Sequence, residues 1–144
     1  MAAAVETDGP ALNIGYSCNC GAVHISVSGE PIIKAICHCS DCQAWWQRDC
    51  LEFEAYPEAV LVIDRGQDKV QPFVIRNPHL SRCWCKDCGT RVFSHGTAAK
   101  TVIVPAIPGH VFEPTLHLFW QDATDSSKRR FEHDDLPKLT EPPL

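Results

Sequence analysis

The chain has 144 residues, a length typical of one domain that can bury a core without disulfide bonds. Its 11 prolines and 8 glycines beside 1 methionine, with apolar residues in short runs, favour many short strands over long helices. The formal net charge of -5 argues against a nucleic-acid or membrane-surface partner. No apolar run reaches the length of a membrane span, so we expect a soluble, cytoplasmic protein.

The predicted elements, in chain order, are mostly strands. Residues 1–12 are predicted to form a flexible N-terminus, and LNIGYS and AVHISVSG to form two strands around the turn CNCG. PIIKAI predicts a strand that delivers Cys37 into CHCSDCQAWW, whose second half is predicted to form one or two helical turns. Further strands are predicted in AVLVID, KVQPFVIR, HLSRCWC, TRVFS, KTVIVPAI and TLHLFW. From Gln121 onward the polar sequence predicts an irregular surface segment.

Cysteine is used out of proportion, with 9 residues in a chain expected to occupy a compartment where disulfides are disfavoured. The count is odd, so the cysteines cannot all be paired with one another. Seven of them fall into three close-spaced groups, a pattern typical of metal-binding knuckles. The groups are Cys18 with Cys20, Cys37 with Cys39 and Cys42, and Cys85 with Cys88.

The strongest local motif is CKDCG, in which Cys85 and Cys88 are followed by Gly89. In such a knuckle the backbone N–H groups point at the first sulfur, and the glycine accepts a positive φ angle at the exit. The motif supplies half of a tetrahedral zinc site, and CNCG, with Cys18 and Cys20, is the matching half. We therefore predict a structural zinc bound by these four cysteines.

The group Cys37, Cys39 and Cys42 supplies three sulfur ligands of a second site. Cys50, Cys83 or His38 could provide the fourth ligand, although side-chain alternation is expected to direct His38 away from the metal. A fourth ligand from the chain would make the site structural. Water or substrate in that position would indicate an enzyme.

Several side chains beside the second site are candidates for substrate binding and catalysis. Trp45 and Trp46 could form apolar pocket walls, or they could simply pack in the core. His38, Ser40 and Asp41 are candidate proton carriers, and each of them could equally have a structural role in the turn.

Three ordered motifs, SCNCGAV, CHCSDC and CWCKDCGT, resemble the family of glutathione-dependent formaldehyde-activating enzymes and centromere protein V. The resemblance implies an all-β fold stapled by zinc, in which two sheets lean together like a tent. It implies one domain over residues 13–137 and a C-terminal tail over 138–144. It also implies a catalytic role for the second zinc, which the resemblance assigns to Cys37, Cys39 and Cys42.

The activity that the resemblance implies is the addition of formaldehyde to glutathione, which gives S-hydroxymethylglutathione, within the wider class of carbon–sulfur lyases. VIVPAIPG stands where family members usually carry a stretch like AGTLDD. We predict a zinc enzyme with two zinc ions per chain that acts on a small electrophile or its glutathione adduct. The alternatives are a zinc enzyme of secondary metabolism that acts on another small molecule without glutathione, and a scaffold module with two structural zincs. Whether the chain forms a homodimer stays open.

Overall fold

The computed structural model describes residues 13–142, so the predicted flexible N-terminus, residues 1–12, lies outside the described part of the chain. As the sequence predicts, the architecture of this part is mostly β, with ten strands in two sheets and two α-helices. The strands are β1 (Asn13–Ser17), β2 (His24–Ser28), β3 (Ile33–Cys37), β4 (Leu51–Pro57), β5 (Val62–Arg65), β6 (Val70–Phe73), β7 (Leu80–Cys85), β8 (Arg91–Gly96), β9 (Thr101–Pro105) and β10 (Leu116–Leu118). The helices are α1 (Ser40–Trp46) and α2 (Asp125–Phe131), and short 3₁₀ turns lie at Glu58–Val60, Gln67–Lys69 and Trp120–Asp122. Neither α-helix has the length and apolar character that a membrane crossing requires.

The larger sheet has seven strands in the order β10-β3-β4-β9-β8-β7-β6, and the smaller sheet has three in the order β1-β2-β5. Neighbouring strands are antiparallel except at one edge, where β10 runs parallel to β3 and pairs Leu118 with Cys37. Beyond β10 the chain returns along the same edge, where the His117 N–H donates to the Pro137 carbonyl at 2.8 Å. The end of β3, where the second cysteine group begins, is thus held on both sides by neighbouring strands.

The two faces of the seven-stranded sheet support two different hydrophobic clusters. On β9, Val102 and Val104 belong to one cluster and Ile103 packs against the other, as side-chain alternation along a strand requires. The first cluster includes Ile25 and Val27 of the three-stranded sheet, so the smaller sheet covers this face. The second cluster lies on the opposite face, and α1 contributes to it. This second face carries the cavity described below.

Two segments differ from the sequence-based expectations. The strand β4 has no counterpart among the predicted strands, yet it lies inside the large sheet between β3 and β9. The prediction of an irregular segment from Gln121 onward is wrong at α2, which is a helix with a defined start and a buried face. The Thr124 hydroxyl caps α2 by accepting from the Ser127 N–H at 3.1 Å, and Ser127 and Phe131 are buried one turn apart.

Candidate metal centre and adjoining cavity

The first cysteine cluster lies where two hairpin tips meet. The β1–β2 turn brings Cys18 and Cys20 to the Cys85 and Cys88 pair of the β7–β8 turn, and the four sulfur atoms lie within 4.8 Å of one another. Cys18 Sγ and Cys20 Sγ are 3.6 Å apart, and Cys20 Sγ and Cys85 Sγ are 3.9 Å apart. A tetrahedral zinc site with bonds of about 2.3 Å places its sulfurs about 3.8 Å apart. The cluster therefore has the donor set and the spacing that zinc requires.

The backbone around this cluster favours thiolate ligands. The Val23 N–H donates to Cys18 Sγ at 3.2 Å, and a hydrogen bond with the Thr90 hydroxyl lowers the pKa of Cys88 to about 5. Gly21 and Gly89, the glycines that follow the two knuckles, both have φ near 78°. This left-handed conformation favours glycine and explains the final residue of both motifs.

The second cluster consists of three cysteines at the junction of β3 and α1. Cys37 ends β3, Cys39 caps α1, and Cys42 lies in the first turn of that helix. Cys37 Sγ and Cys42 Sγ are 3.6 Å apart, and the Cys42 N–H donates to Cys39 Sγ at 3.2 Å. Hydrogen bonds from the thiols of Cys37 and Cys42 lower the pKa of Cys39 to about 3. The spacing again matches the edge of a zinc tetrahedron, here with three protein ligands.

A cavity of about 400 Å³ adjoins the three-cysteine cluster, and Cys37, Cys39 and Cys42 all line it. Its floor is the second face of the seven-stranded sheet, where the cross-strand neighbours Cys37, Leu51 and Leu118 lie side by side. Phe53 of β4 also lines the floor. The first cysteine cluster contributes no residue to this cavity. The two clusters thus have different surroundings, one between hairpin tips and the other on a cavity wall.

Polar residues complete the cavity. Arg82 of β7 is 4% exposed and lies on the wall, where its Nη1 donates to Cys42 Sγ at 3.9 Å. Ser94 of β8, the cross-strand neighbour of Arg82, is on the same wall. Sequence analysis missed both residues, although the predicted strand HLSRCWC contained a signal for Arg82. Alternation along a strand places residue 82 on the opposite face from residue 83, and a charged residue within a buried strand requires a partner.

The predicted site residues occupy three different environments. Ser40, Asp41 and Trp46 line the cavity beside the cysteines. Asp41 pairs with Arg76, whose Nε donates to Asp41 Oδ2 at 3.1 Å. Trp45 lies elsewhere, stacked on Phe73 with ring centroids 5.4 Å apart. The structure therefore brings Ser40, Asp41 and Trp46 to the cavity, whereas Trp45 stacks on Phe73 and packs against the hydrophobic cluster without lining the cavity.

His38 lies on the other side of the β3 backbone from the cavity. Its ring is fully buried and stacks on His117 with centroids 5.0 Å apart, next to Trp120 and Phe131. Burial and the neighbouring His117 lower the pKa of His38 to about 4, so its ring is neutral at neutral pH. The expected alternation around Cys37 and Cys39 thus directs His38 away from their sulfur atoms. His38 does not line the cavity.

Cys50 and Cys83, the two remaining cysteines, lie outside both sulfur clusters. Cys50 packs with Ile36 and Phe131, and burial raises the pKa of its thiol. Cys83 belongs to the hydrophobic cluster under the three-stranded sheet, and burial raises its pKa to about 11. Both are buried neutral thiols. Neither thiol belongs to the group of sulfur atoms formed by Cys37, Cys39 and Cys42, so neither is in position to be its fourth ligand.

The family model described as glutathione-dependent formaldehyde-activating enzyme matches residues 13–122. The match covers most of the chain, so the chain belongs to this family, as its three motifs predict. Comparison with curated proteins gives no significant match. Among solved structures, the crystal structure of a Rhodobacter sphaeroides protein is similar, with a TM-score of 0.53 and 19% sequence identity, over 68% of this chain and 91% of that chain. That structure supports the fold alone.

Proposed function

We propose that the protein is a zinc-dependent enzyme of the carbon–sulfur lyase type. It joins the thiol sulfur of a substrate such as glutathione to the carbonyl carbon of a small electrophile such as formaldehyde. The observation that carries the proposal is the cluster of Cys37, Cys39 and Cys42 on the wall of a cavity of about 400 Å³. Three protein ligands leave zinc one position for a ligand from the cavity, which is the arrangement of catalytic zinc sites.

The chemistry of the donor set favours a thiol in this position. Zinc held by three thiolates favours a soft fourth ligand and lowers the pKa of a thiol that binds it. In the reaction the sulfur electron pair forms a C–S bond to the carbonyl carbon. The thiol proton finishes on the former carbonyl oxygen, so no oxidant or reductant is needed. A residue of the cavity must therefore take the proton from the thiol sulfur and deliver it to the former carbonyl oxygen.

We assign the movement of this proton to Asp41. It lines the cavity one residue before Cys42, and its carboxylate is oriented by the guanidinium of Arg76. A carboxylate at this place can accept a thiol proton and return it to the oxygen of the adduct. Ser40 lines the same wall and can relay the proton through its hydroxyl. For His38 we propose a positioning role, because its ring packs behind β3 rather than in the cavity.

The scaffold alternative requires a fourth protein ligand at the second site. Cys50 and Cys83 are the cysteines that could supply it, and both lie outside the group of sulfur atoms within 4.8 Å of one another. Each of them is buried in a different hydrophobic cluster, and neither of these clusters contains Cys37, Cys39 or Cys42. The enzyme proposal therefore agrees better with the placement of all nine cysteines.

The test is the rate of exchange between formaldehyde and S-hydroxymethylglutathione, followed by NMR exchange spectroscopy in the presence of the zinc-loaded protein. We expect acceleration over the spontaneous reaction with the wild type and with Cys50→Ala. The Cys42→Ser variant is expected to be inactive because it lacks one ligand of the cavity metal. Exchange at the spontaneous rate with fully zinc-loaded wild type would rule out this substrate pair.

A further inference from the structure

Arg82 is a buried cation whose protein partners do not account for its hydrogen-bonding capacity. Arg82 is 4% exposed, and within residues 13–142 its guanidinium makes one hydrogen bond, from Nη1 to Cys42 Sγ. The distance of 3.9 Å makes that bond long and weak. A guanidinium has five N–H donors in a planar fork, and a buried charge normally has a well-matched anionic partner.

The other arginines near the site differ in this respect. Arg76 donates to both carboxylate oxygens of Asp41. Arg91 donates to the carbonyls of Trp45 and Gly89, at 2.9 and 3.1 Å. Both of these guanidinium groups are committed to protein acceptors. Arg82, by contrast, lies on the cavity wall with most of its donors available to a ligand.

The other residues that line the cavity limit what this ligand can be. Leu51, Phe53, Ile103 and Leu118 line the cavity, so most of a bound molecule would contact hydrocarbon. Ile103 belongs to the VIVPAIPG stretch, which contains no acidic residue. Arg82 and its cross-strand neighbour Ser94 lie together on the cavity wall. Asp41 and Asp122 also line the cavity, and Asp41 is paired with Arg76. A compact molecule with an apolar body and one carboxylate directed at Arg82 matches the buried part of the lining.

We propose that Arg82 is a specificity-determining residue that binds a carboxylate of the substrate in this cavity. The inference rests on the proposed function only in taking the cavity as the substrate site. A carboxylate matches the guanidinium fork through two parallel hydrogen bonds, which a neutral amide cannot reproduce. The carboxylate belongs either to glutathione or to the electrophile. In both cases Arg82 fixes the orientation of the molecule relative to the cysteine cluster.

The test is titration calorimetry of the zinc-loaded full chain with 3-phenylpropionate and with its amide. We expect the acid to bind the wild type at least about tenfold more tightly than the amide, as is typical of hydrogen bonds to a charged group. Arg82→Met is expected to remove this preference. Arg82→Gln, which retains hydrogen-bonding groups without the charge, is expected to do the same and decides the outcome if the methionine variant does not fold. Arg129→Met, at an exposed position of α2, is the control for net charge and is expected to keep the preference.

Two results would overturn the proposal. Equal binding of acid and amide to the wild type, or no binding of either, would leave Arg82 as a counter-charge for the thiolates. A preference that survives both Arg82 substitutions would show that the acid binds the metal rather than the guanidinium. The probe contains no thiol, so failure of the formaldehyde exchange assay leaves this test intact. Displacement of the acid by S-methylglutathione would assign the carboxylate to glutathione, and lack of displacement would assign it to the electrophile.

Discussion

The Nε2 atom of His38 lies 2.8 Å from the Nδ1 atom of His117, and both rings are fully buried. His117 Nε2 is in turn 2.7 Å from Asp134 Oδ2. Burial acts to raise the pKa of Asp134, but hydrogen bonds from Lys138 and His117 hold it well below its usual range, so this carboxylate is ionised. A carboxylate only accepts, so His117 donates to Asp134 through its Nε2–H, and its Nδ1 shares the second hydrogen bond with His38 Nε2. The two histidines therefore form an oriented chain that joins β3 to the returning C-terminal segment.

Replacing His117 with phenylalanine is expected to destabilise the fold by about 1–3 kcal/mol, because the buried Nε2 of His38 loses its hydrogen-bonding partner. Urea denaturation of the zinc-loaded protein measures this loss. Asp134→Asn keeps a carbonyl acceptor for His117 and is the milder matched variant. Equal stability of His117→Phe and the wild type would contradict the structural role assigned to the pair.

His38→Gln separates a positioning role from a catalytic one. In the positioning account the variant loses stability but retains its metals, and its turnover recovers at low temperature, where the folded population is restored. In the catalytic account turnover falls by about 10²-fold or more at every temperature while the protein stays folded. Circular dichroism and steady-state kinetics on the same samples distinguish the two.

The two cysteine clusters are expected to respond differently to substitution. Cys88→Ser removes a ligand from the cluster that joins the two hairpin tips, and structural zinc contributes folding free energy on the order of 10 kcal/mol in small domains. We expect this variant to unfold or aggregate. Cys42→Ser is expected to stay folded and to lose one zinc, as measured by elemental analysis and circular dichroism. Equally severe unfolding of both variants would contradict the division into a structural and a catalytic site.

Cys50 and Cys83 are expected to resist alkylation in the native, zinc-loaded protein. With a pKa of about 11, the Cys83 thiol is ionised at pH 8 only to about 0.1%, and its burial further limits access. Mass spectrometry after brief iodoacetamide treatment identifies the modified residues. Both Cys50→Ala and Cys83→Ala are expected to retain two zinc ions per chain. Loss of one zinc in either variant would show that the altered cysteine is a ligand.

Asp41→Asn is expected to lower kcat by about 10²-fold or more without loss of metal, because the amide cannot take up the thiol proton. Arg76→Met, which removes the hydrogen-bonding partner of Asp41, is expected to have a smaller effect on kcat. Steady-state kinetics with glutathione and formaldehyde provide the measurement. If Asp41→Asn has wild-type activity, the proton is carried by another group.

The sequence predicted the hairpin strands and the convergence of CNCG with CKDCG because these features depend on local turn chemistry and ligand spacing. It did not predict β4. LEFEAY has apolar residues at Leu51 and Phe53 in alternation with Glu52 and Glu54, which is a strand pattern. However, Glu54 is 4% exposed and its carboxylate lies 3.3 Å from Nε2 of His110, so its burial in the sheet interior depends on a tertiary contact with a residue 56 positions further along the chain. The sequence of one strand does not show that such a partner exists.

In the candidate site, too, the local features were predicted from the sequence and the tertiary contacts were not. Spacing alone grouped Cys37 with Cys39 and Cys42, because a strand end followed by a helix start brings them together locally. Arg82 comes from β7, four strands away from β3 in the sheet order, and only the packed fold places it beside Cys42. Trp45 and Trp46 point in different directions because they are consecutive in α1, but the stacking partner of Trp45, Phe73 of β6, is a tertiary contact.

The coordination of the second zinc tests the central claim most directly. Zinc-edge X-ray absorption of the two-zinc protein reports the average ligand set, and seven cysteine sulfurs shared by two zinc ions leave one position for a lighter atom. We predict mixed sulfur and oxygen ligation in the free protein, and a change to all-sulfur ligation when glutathione is added. Four sulfurs at both metals before any thiol is added would show a closed site and contradict the account.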